Sequence, residues 1–142
     1  MNFNNFTIKS QEAVQQAIQL VQNRGQQAIE AEHLLAGVLK VGENVTNFLF
    51  QKLGLNGLQI NNVLDKQISS LPKVTGGEPY LSRTANEVLQ KAVELSKSLG
   101  DEYVSLEAML LALLNVKSTV ATILKDAGMN EKDLRAAIEE LR

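Results

Sequence analysis

Apolar residues recur along this chain with the period of an amphipathic helix. The first such stretch runs from about Ile8 to Asn23. Thr7 stands at the N-cap position in front of it, and Gly25 stands behind it, where a glycine with positive φ commonly ends a helix. These signals predict a helix between the two residues. Its apolar side is formed by residues spaced at about 3.6 positions, namely Ala13, Ala17, Leu20 and Val21.

The same pattern returns when the sequence is shifted by 75 residues. The segment that starts at Thr7 then aligns with the segment that starts at Ser82, and identical residues fall at apolar positions and at turns. Such regular identities indicate an internal duplication. Examples are the pairs Glu12 and Glu87, Ala17 and Ala92, Gly25 and Gly100, Glu32 and Glu107, Leu39 and Leu114, and, after one gap, Gly54 and Gly128, and Asn56 and Asn130.

Each copy predicts four helices, because turn signals divide it at equivalent places. In the first copy the predicted helices are Ile8–Asn23, Ala31–Leu39, Val45–Lys52 and one that follows Asn56. In the second copy they are one that follows Ser82, then Leu106–Leu114, Thr119–Ala127 and one that follows Asn130. Ser105 is the expected N-cap of the second of these, and Asn56 with Gln59 has the spacing of a capping box.

These elements predict an all-α fold in which residues 1–142 form a single compact domain of eight helices. Repeat one covers about residues 6–70, repeat two covers about residues 81–142, and both prolines of the chain lie in the linker at about residues 71–80. The duplication predicts pseudo-twofold symmetry between the two four-helix repeats. The second helix of each repeat is apolar almost all round, which is typical of a helix at the centre of a bundle.

Composition excludes several classes of protein. Apolar residues make up 44% of the chain, charged residues 21%, and the net charge is -2 without a basic stripe, which argues against nucleic acid as a partner. The absence of cysteine excludes disulfides and thiol chemistry. The longest apolar run, Ala108 to Leu114, is far shorter than the ~20 residues of a membrane span. The first residues lack the features of a signal peptide, so we expect a cytoplasmic protein with no membrane partner.

The chain carries no motif of a known catalytic or metal site. Phosphate-binding loops, HExxH, GxSxG and CxxC are all missing, so we expect no catalytic residue, no metal and no cofactor in this domain. The single histidine, His33, aligns with Ala108, so a role needed by both repeats cannot depend on it. We therefore expect His33 to make a structural hydrogen bond. The acids Glu32 and Glu107 occur in both copies at a helix start, where they either stabilise the helix N-terminus or contact a ligand.

The duplicated segments resemble a known family. FTIKSQEAVQQA with IEAEHLLAGVL, and TANEVLQKAVELS with VSLEAMLLALL, are similar to the Clp N-terminal repeat domain that precedes the ATPase modules of Hsp100/Clp unfoldases. The resemblance covers essentially the whole chain. The segment LPKVTGGE, the opening FTIKSQEAV and the ending ILKDAGMNEKDLRAAIEELR look most like the ClpB-type disaggregase branch.

The resemblance implies a client-binding role. It suggests the N-terminal domain of an ATP-dependent disaggregase chaperone, which captures unfolded or aggregated polypeptide for threading by the ATPase ring. ATP and Mg²⁺ would belong to other modules of a homohexameric parent that works with the Hsp70 system through those modules, and the isolated domain would be a monomer. This chain would not itself be an enzyme.

The resemblance also implies candidate substrate-binding residues. The polar positions of the family's proposed substrate groove match Thr7, Asp101 and Glu107, and Glu32 is a possible second site. An apolar groove is expected between the two repeats, lined by Phe6, Leu89, Tyr103 and Leu106. The alternative is a ClpC- or ClpA-type N-domain that binds adaptor proteins or substrates marked with phospho-arginine for proteolysis, with Glu32 and Glu107 as the matching acids.

Overall fold

The computed structural model describes residues 2–142, which form eight α-helices and one two-stranded parallel sheet. In chain order the elements are α1 (Ile8–Asn23), β1 (Ala28–Ile29), α2 (Ala31–Val41), α3 (Glu43–Leu53), α4 (Gly57–Ser69), β2 (Tyr80–Leu81), α5 (Arg83–Ser98), α6 (Leu106–Asn115), α7 (Thr119–Asp126) and α8 (Glu131–Leu141). The predicted all-α class and the count of eight helices are confirmed.

Side-chain caps begin most of these helices where the sequence predicts them. The Thr7 hydroxyl accepts the Ser10 amide at 3.1 Å, and Ser82 and Ser105 cap α5 and α6 in the same way at 3.0 and 3.1 Å. The Asn56 side chain accepts the Gln59 amide at 3.0 Å, which is one half of the predicted capping box. The return bond from the Gln59 side chain is absent from the described part of the chain.

The second helix of each repeat lies at the centre, as predicted. Every residue of α6 from Ala108 to Leu114 is buried, and α2 packs against α6 with Leu34, Leu35 and Val38 fully covered. Burying one such leucine contributes ~1.5–3 kcal/mol relative to leaving it exposed, so these two helices hold much of the apolar stabilisation. No single helix within residues 2–142 has the length and apolar composition to cross a membrane. Together α6 and α7 reach that length and composition, but the two helices are bent by 97° where they meet.

Two equivalent parallel backbone pairings join the repeats. Phe6 pairs with Val104 in one, and β1 pairs with β2 in the other, with Ile29 opposite Leu81. The shift that relates the repeats maps the first pairing onto the second, because Phe6 corresponds to Leu81 and Val104 to Ile29. Helices of one repeat also pack against helices of the other, since α3 packs against α8 and α4 against α7. The repeats are therefore interlocked halves of one domain.

The stretch between the repeats is not helical, since α4 ends at Ser69 and α5 begins at Arg83. Tyr80, at the end of the predicted linker, belongs to β2 and donates its amide to the Gln27 carbonyl at 3.2 Å. The Val74 amide donates to the Gly25 carbonyl at 3.0 Å, so the preceding stretch is attached to the turn after α1. Prolines and glycines identify a stretch that is not helical, but they do not indicate whether it is held by other parts of the chain.

Candidate functional site

The two predicted acids of repeat two lie together around one guanidinium. Asp101 follows α5, Glu107 is in the first turn of α6, and Arg142 follows α8. The Arg142 Nη1 and Nη2 atoms donate to the two Asp101 oxygens at 2.8 and 2.7 Å. Nη2 and Nε also donate to Glu107 Oε2 at 3.0 and 3.3 Å. The hydrogen bond to Asp101, and after it the interactions with Glu107, raise the pKa of Arg142 above its ordinary value.

Thr7 adjoins this cluster through its backbone. Its amide donates to the Val104 carbonyl at 3.0 Å, and Val104 lies in the chain segment between Asp101 and Glu107. Its hydroxyl accepts the Ser10 amide and donates to Ser10 Oγ at 2.9 Å. The Thr7 side chain therefore caps α1, and the Thr7 backbone fixes the position of the loop that carries Asp101.

Three of the four predicted groove residues, among them Leu106, are buried in the core. Leu89 is 0% exposed, and Phe6 is 2% exposed and packs edge-to-face on Phe3 with ring centroids 5.0 Å apart. Neither can present its side chain to a ligand in this conformation, so the predicted groove of four apolar residues is not formed. Helical periodicity places both residues on an apolar side, but it does not distinguish a core face from an open groove.

The other two residues of the predicted set, Tyr103 and Leu106, differ in exposure. Tyr103 is 50% exposed, beside the Asp101–Glu107 cluster in the chain. Leu106 is largely buried, and its side chain packs over Gly42 at the corner between α2 and α3. It also lines a surface cavity of 340 Å³ together with Lys9. Tyr103 is thus the one exposed apolar side chain of the predicted set.

The acids Glu32 and Glu107 connect helices within their own repeats. Glu32 is buried and accepts a hydrogen bond from Gln67 Nε2, on α4, at 3.2 Å. Glu107 reaches Arg142 at the end of α8. In both repeats the acid therefore joins the central helix to the last helix. The Ser105 side chain, and not Glu107, accepts the Ala108 amide in the first turn of α6 at 3.1 Å.

His33 is structural, as expected. Its Nδ1 atom accepts the Glu30 amide at 2.9 Å, so its Nε2 atom carries the proton toward Gln26 Oε1 at 2.8 Å. The Gln26 side chain in turn donates to the Ile68 carbonyl, at the end of α4, at 2.7 Å. Burial, and after it the positive charge of Arg24, lower the pKa of His33 from 6.5 to about 4. Within residues 2–142 there is no group of three side chains suited to hold a metal ion.

Comparison with known proteins agrees with this architecture. Residues 5–127 match the family model described as the Clp repeat (R) N-terminal domain. The chain is 76% identical over its whole length to the chaperone protein ClpB of Bacteroides thetaiotaomicron, of which it covers 16%. The chain thus spans about a sixth of that relative.

Solved structures share the fold. The Hsp104 N-terminal domain of Candida albicans superposes with a TM-score of 0.85 at 23% identity, covering 98% of this chain and 92% of that chain. A ClpV N-domain in complex with a VipB peptide superposes with a TM-score of 0.78 at 22% identity, covering 96% of this chain and 86% of that one. Given the family match over most of its length and the shared fold, the chain belongs to the Clp repeat N-terminal domain family and is a Clp chaperone N-domain.

Proposed function

We propose that this domain captures unfolded or aggregated polypeptide for a ClpB-type disaggregase, and that it binds segments in which a basic side chain stands next to apolar residues. The observation that carries the proposal is the Asp101–Glu107 cluster. These two carboxylates surround the Arg142 guanidinium in a geometry that a client arginine could also adopt. Tyr103, which lies between the two acids in the chain, has an exposed ring that offers an apolar contact.

The rest of the proposal concerns the parent protein. ATP and Mg²⁺ would be bound by the ATPase modules of a cytoplasmic homohexamer, and the Hsp70 system would act through those modules. This domain would be monomeric when isolated and would deliver its client to the central pore. The relationship to ClpB supports this assignment, and a protein of the same fold is known in complex with a peptide.

Client binding at the acid cluster is expected to be weak. An incoming basic side chain must displace Arg142, whose own bonds to Asp101 are lost when the client binds. Ion pairs at partly exposed side chains contribute only ~0–1 kcal/mol each, so exchange of one guanidinium for another yields little net energy. Weak binding suits a domain that must release its client to the ATPase ring.

The proposal is tested by NMR titration of the isotopically labelled domain with a peptide that has one arginine between leucines. We expect amide shifts around Asp101, Tyr103 and Glu107, and we expect them to be lost in the double variant Asp101→Asn, Glu107→Gln. The variant Asp126→Asn removes an exposed acid elsewhere and serves as the matched control. Unchanged spectra at millimolar peptide would refute the proposal.

The phospho-arginine alternative predicts a different pattern. Free phospho-arginine would then shift resonances around both Glu32 and Glu107. Because Glu32 is buried and already bonded to Gln67, we expect no shifts in its neighbourhood. Shifts at both acids would favour the ClpC-type function over the one proposed.

A further inference from the structure

A groove on the surface of repeat one is present in reduced form in repeat two. The first is a cavity of 670 Å³ between α2, α3 and the start of α4, and the second is a cavity of 290 Å³ between α6, α7 and the start of α8. The duplication relates their linings residue by residue, with Leu39 matching Leu114 and Leu55 matching Met129. The groove is thus a property of the repeat, and it is more than twice as large in the first copy.

One lining position has no side chain in the larger groove and a long one in the smaller groove. Gly57, the first residue of α4, lines the groove of repeat one and corresponds to Glu131 of repeat two. The Glu131 carboxylate accepts Arg135 Nε at 2.8 Å, and this hydrogen bond lowers the pKa of Glu131. Asn115 also lines the smaller groove, and its side chain donates to the Leu111 carbonyl at 3.0 Å. Glu131 therefore adds a charged side chain to the lining of the smaller groove, whereas Gly57 adds none to the lining of the larger one.

The open groove has an apolar floor and a rim without net charge. Leu39 and Phe50 form its buried floor, and Leu58 stands at its edge with 76% of its surface exposed. The exposed amides of Asn47 and Gln51 line the rim and form no side-chain hydrogen bond with any other residue in 2–142. These amides can donate to and accept from a peptide backbone.

The two charges at the rim oppose each other. Lys40 lies in the last turn of α2, and Glu43 lies in the first turn of α3, where each is favoured by its own helix dipole. Neither forms a salt bridge within the described part of the chain. A ligand of either net charge therefore meets attraction and repulsion together, whereas a neutral ligand meets apolar surface and free amides. A volume of 670 Å³ lies in the range of roughly 300–1,000 Å³ that is usual for ligand sites.

We propose that this groove is a second client contact, which binds a neutral apolar segment of an extended polypeptide with a leucine or phenylalanine side chain seated against Leu39, Phe50 and Leu58. The proposal rests on the proposed function, because it supplies a site for the uncharged parts of the same clients. It differs in place and in ligand chemistry from the acid cluster, which selects a basic side chain. The Asn47 and Gln51 amides bond the backbone of the segment.

The test uses the uncharged hexapeptide acetyl-Gly-Ser-Leu-Phe-Ser-Gly-amide and the labelled domain. Amide shifts are expected around Leu39, Phe50 and Leu58, and Gly57→Glu is expected to weaken binding at least about tenfold, because it places a carboxylate in the apolar groove at the position that Glu131 occupies in repeat two. A Cβ at Gly57 meets only the Phe50 ring, at 3.2 Å, so a small side-chain shift accommodates it. Leu58→Ser, at an exposed position, is a second variant that weakens binding without removing core contacts.

Matched measurements separate this proposal from the first. Glu131→Gly opens the smaller groove and is expected to add peptide shifts around Leu114 and Met129. Hexapeptide shifts confined to Tyr103 and Glu107, or an affinity unchanged by both Gly57→Glu and Leu58→Ser, overturn the groove and leave the acid cluster standing. Groove shifts that follow protein concentration without peptide also overturn it, because the occupant is then a second copy. If the wild-type domain binds the hexapeptide at the groove but does not bind the arginine peptide, the acid cluster is refuted and the groove is supported.

Discussion

A neutral imidazole holds together three parts of repeat one. His33 accepts the Glu30 amide at the start of α2 and donates to Gln26, whose side chain reaches the end of α4 at the Ile68 carbonyl. Protonation of Nδ1 would place a second N–H against the Glu30 amide and would put a charge into a fully buried position. The network therefore exists only while His33 is neutral.

This network predicts how stability depends on pH. Since the folded pKa of His33 is about 4 and the unfolded value is 6.5, the unfolded state binds the proton more tightly. The stabilisation is complete above about pH 6.5 and is lost as pH falls, with a decrease of about 3 kcal/mol by pH 4. Urea unfolding of wild type and His33→Gln between pH 7 and pH 4 measures it. The variant is expected to be less stable than wild type at pH 7, but its free energy of unfolding is expected to change less with pH. If the free energies of the two proteins fall in parallel with pH, His33 is not the group responsible.

The acid cluster shows which parts of a site a sequence can specify. The duplication identified Glu32 and Glu107, and the resemblance identified Asp101, but neither indicated that Arg142 would bond both Asp101 and Glu107. That contact depends on how α8 packs against the rest of the fold, which no local pattern encodes. The same limit explains why Phe6 and Leu89 were assigned to a groove although the fold buries them.

At the scale of elements, local signals determined the helices well. The cap at Thr7 and the positive φ of 66° at Gly25 bound α1 at the predicted residues. The pairing of β1 with β2 was missed, because each strand has two residues and joins segments 52 positions apart in the chain. Two residues carry no alternating pattern that could identify a strand. Short-range chemistry therefore predicts the helices, and long-range contacts complete the fold.

Helix packing differs between the repeats at one position. A Cβ on Gly37 of α2 would lie 2.1 Å from the Ala13 carbonyl oxygen of α1, so these helices approach closely only because residue 37 is glycine. The corresponding residue of α6 is Ala112, which is accommodated. Gly37→Ala is expected to lower the free energy of unfolding by ~1–3 kcal/mol or more through overpacking.

The reverse substitution provides the control for this prediction. Ala112→Gly removes one buried methyl group and lowers helix propensity, so a loss of about 1–2 kcal/mol is expected without backbone movement. Chemical denaturation measures both values. The α1–α2 amide resonances are expected to shift widely in Gly37→Ala only. A Gly37→Ala protein as stable as wild type would show that α1 and α2 are not held at this distance.

At the scale of the whole molecule, neither repeat is independent. α3 of repeat one packs against α8 of repeat two, and α4 packs against α7. Both parallel backbone pairings also join one repeat to the other. We therefore expect the intact chain to unfold in one cooperative transition. A fragment of residues 1–79 is expected to be largely unfolded by circular dichroism and NMR. A dispersed, helical spectrum of that fragment would refute the interlocked description.

In the function proposed for this domain, Asp101 and Glu107 bind a basic client group for which Arg142 competes. The most direct test is the dissociation constant of one fluorescently labelled, permanently unfolded polypeptide rich in arginine and leucine. Because Arg142→Gln frees both acids, we expect this variant to bind the polypeptide a few-fold more tightly than wild type does. We expect the double variant Asp101→Asn, Glu107→Gln to bind it more weakly than wild type or Arg142→Gln. Equal dissociation constants for the three proteins, or an order in which Arg142→Gln binds most weakly, would contradict the claim.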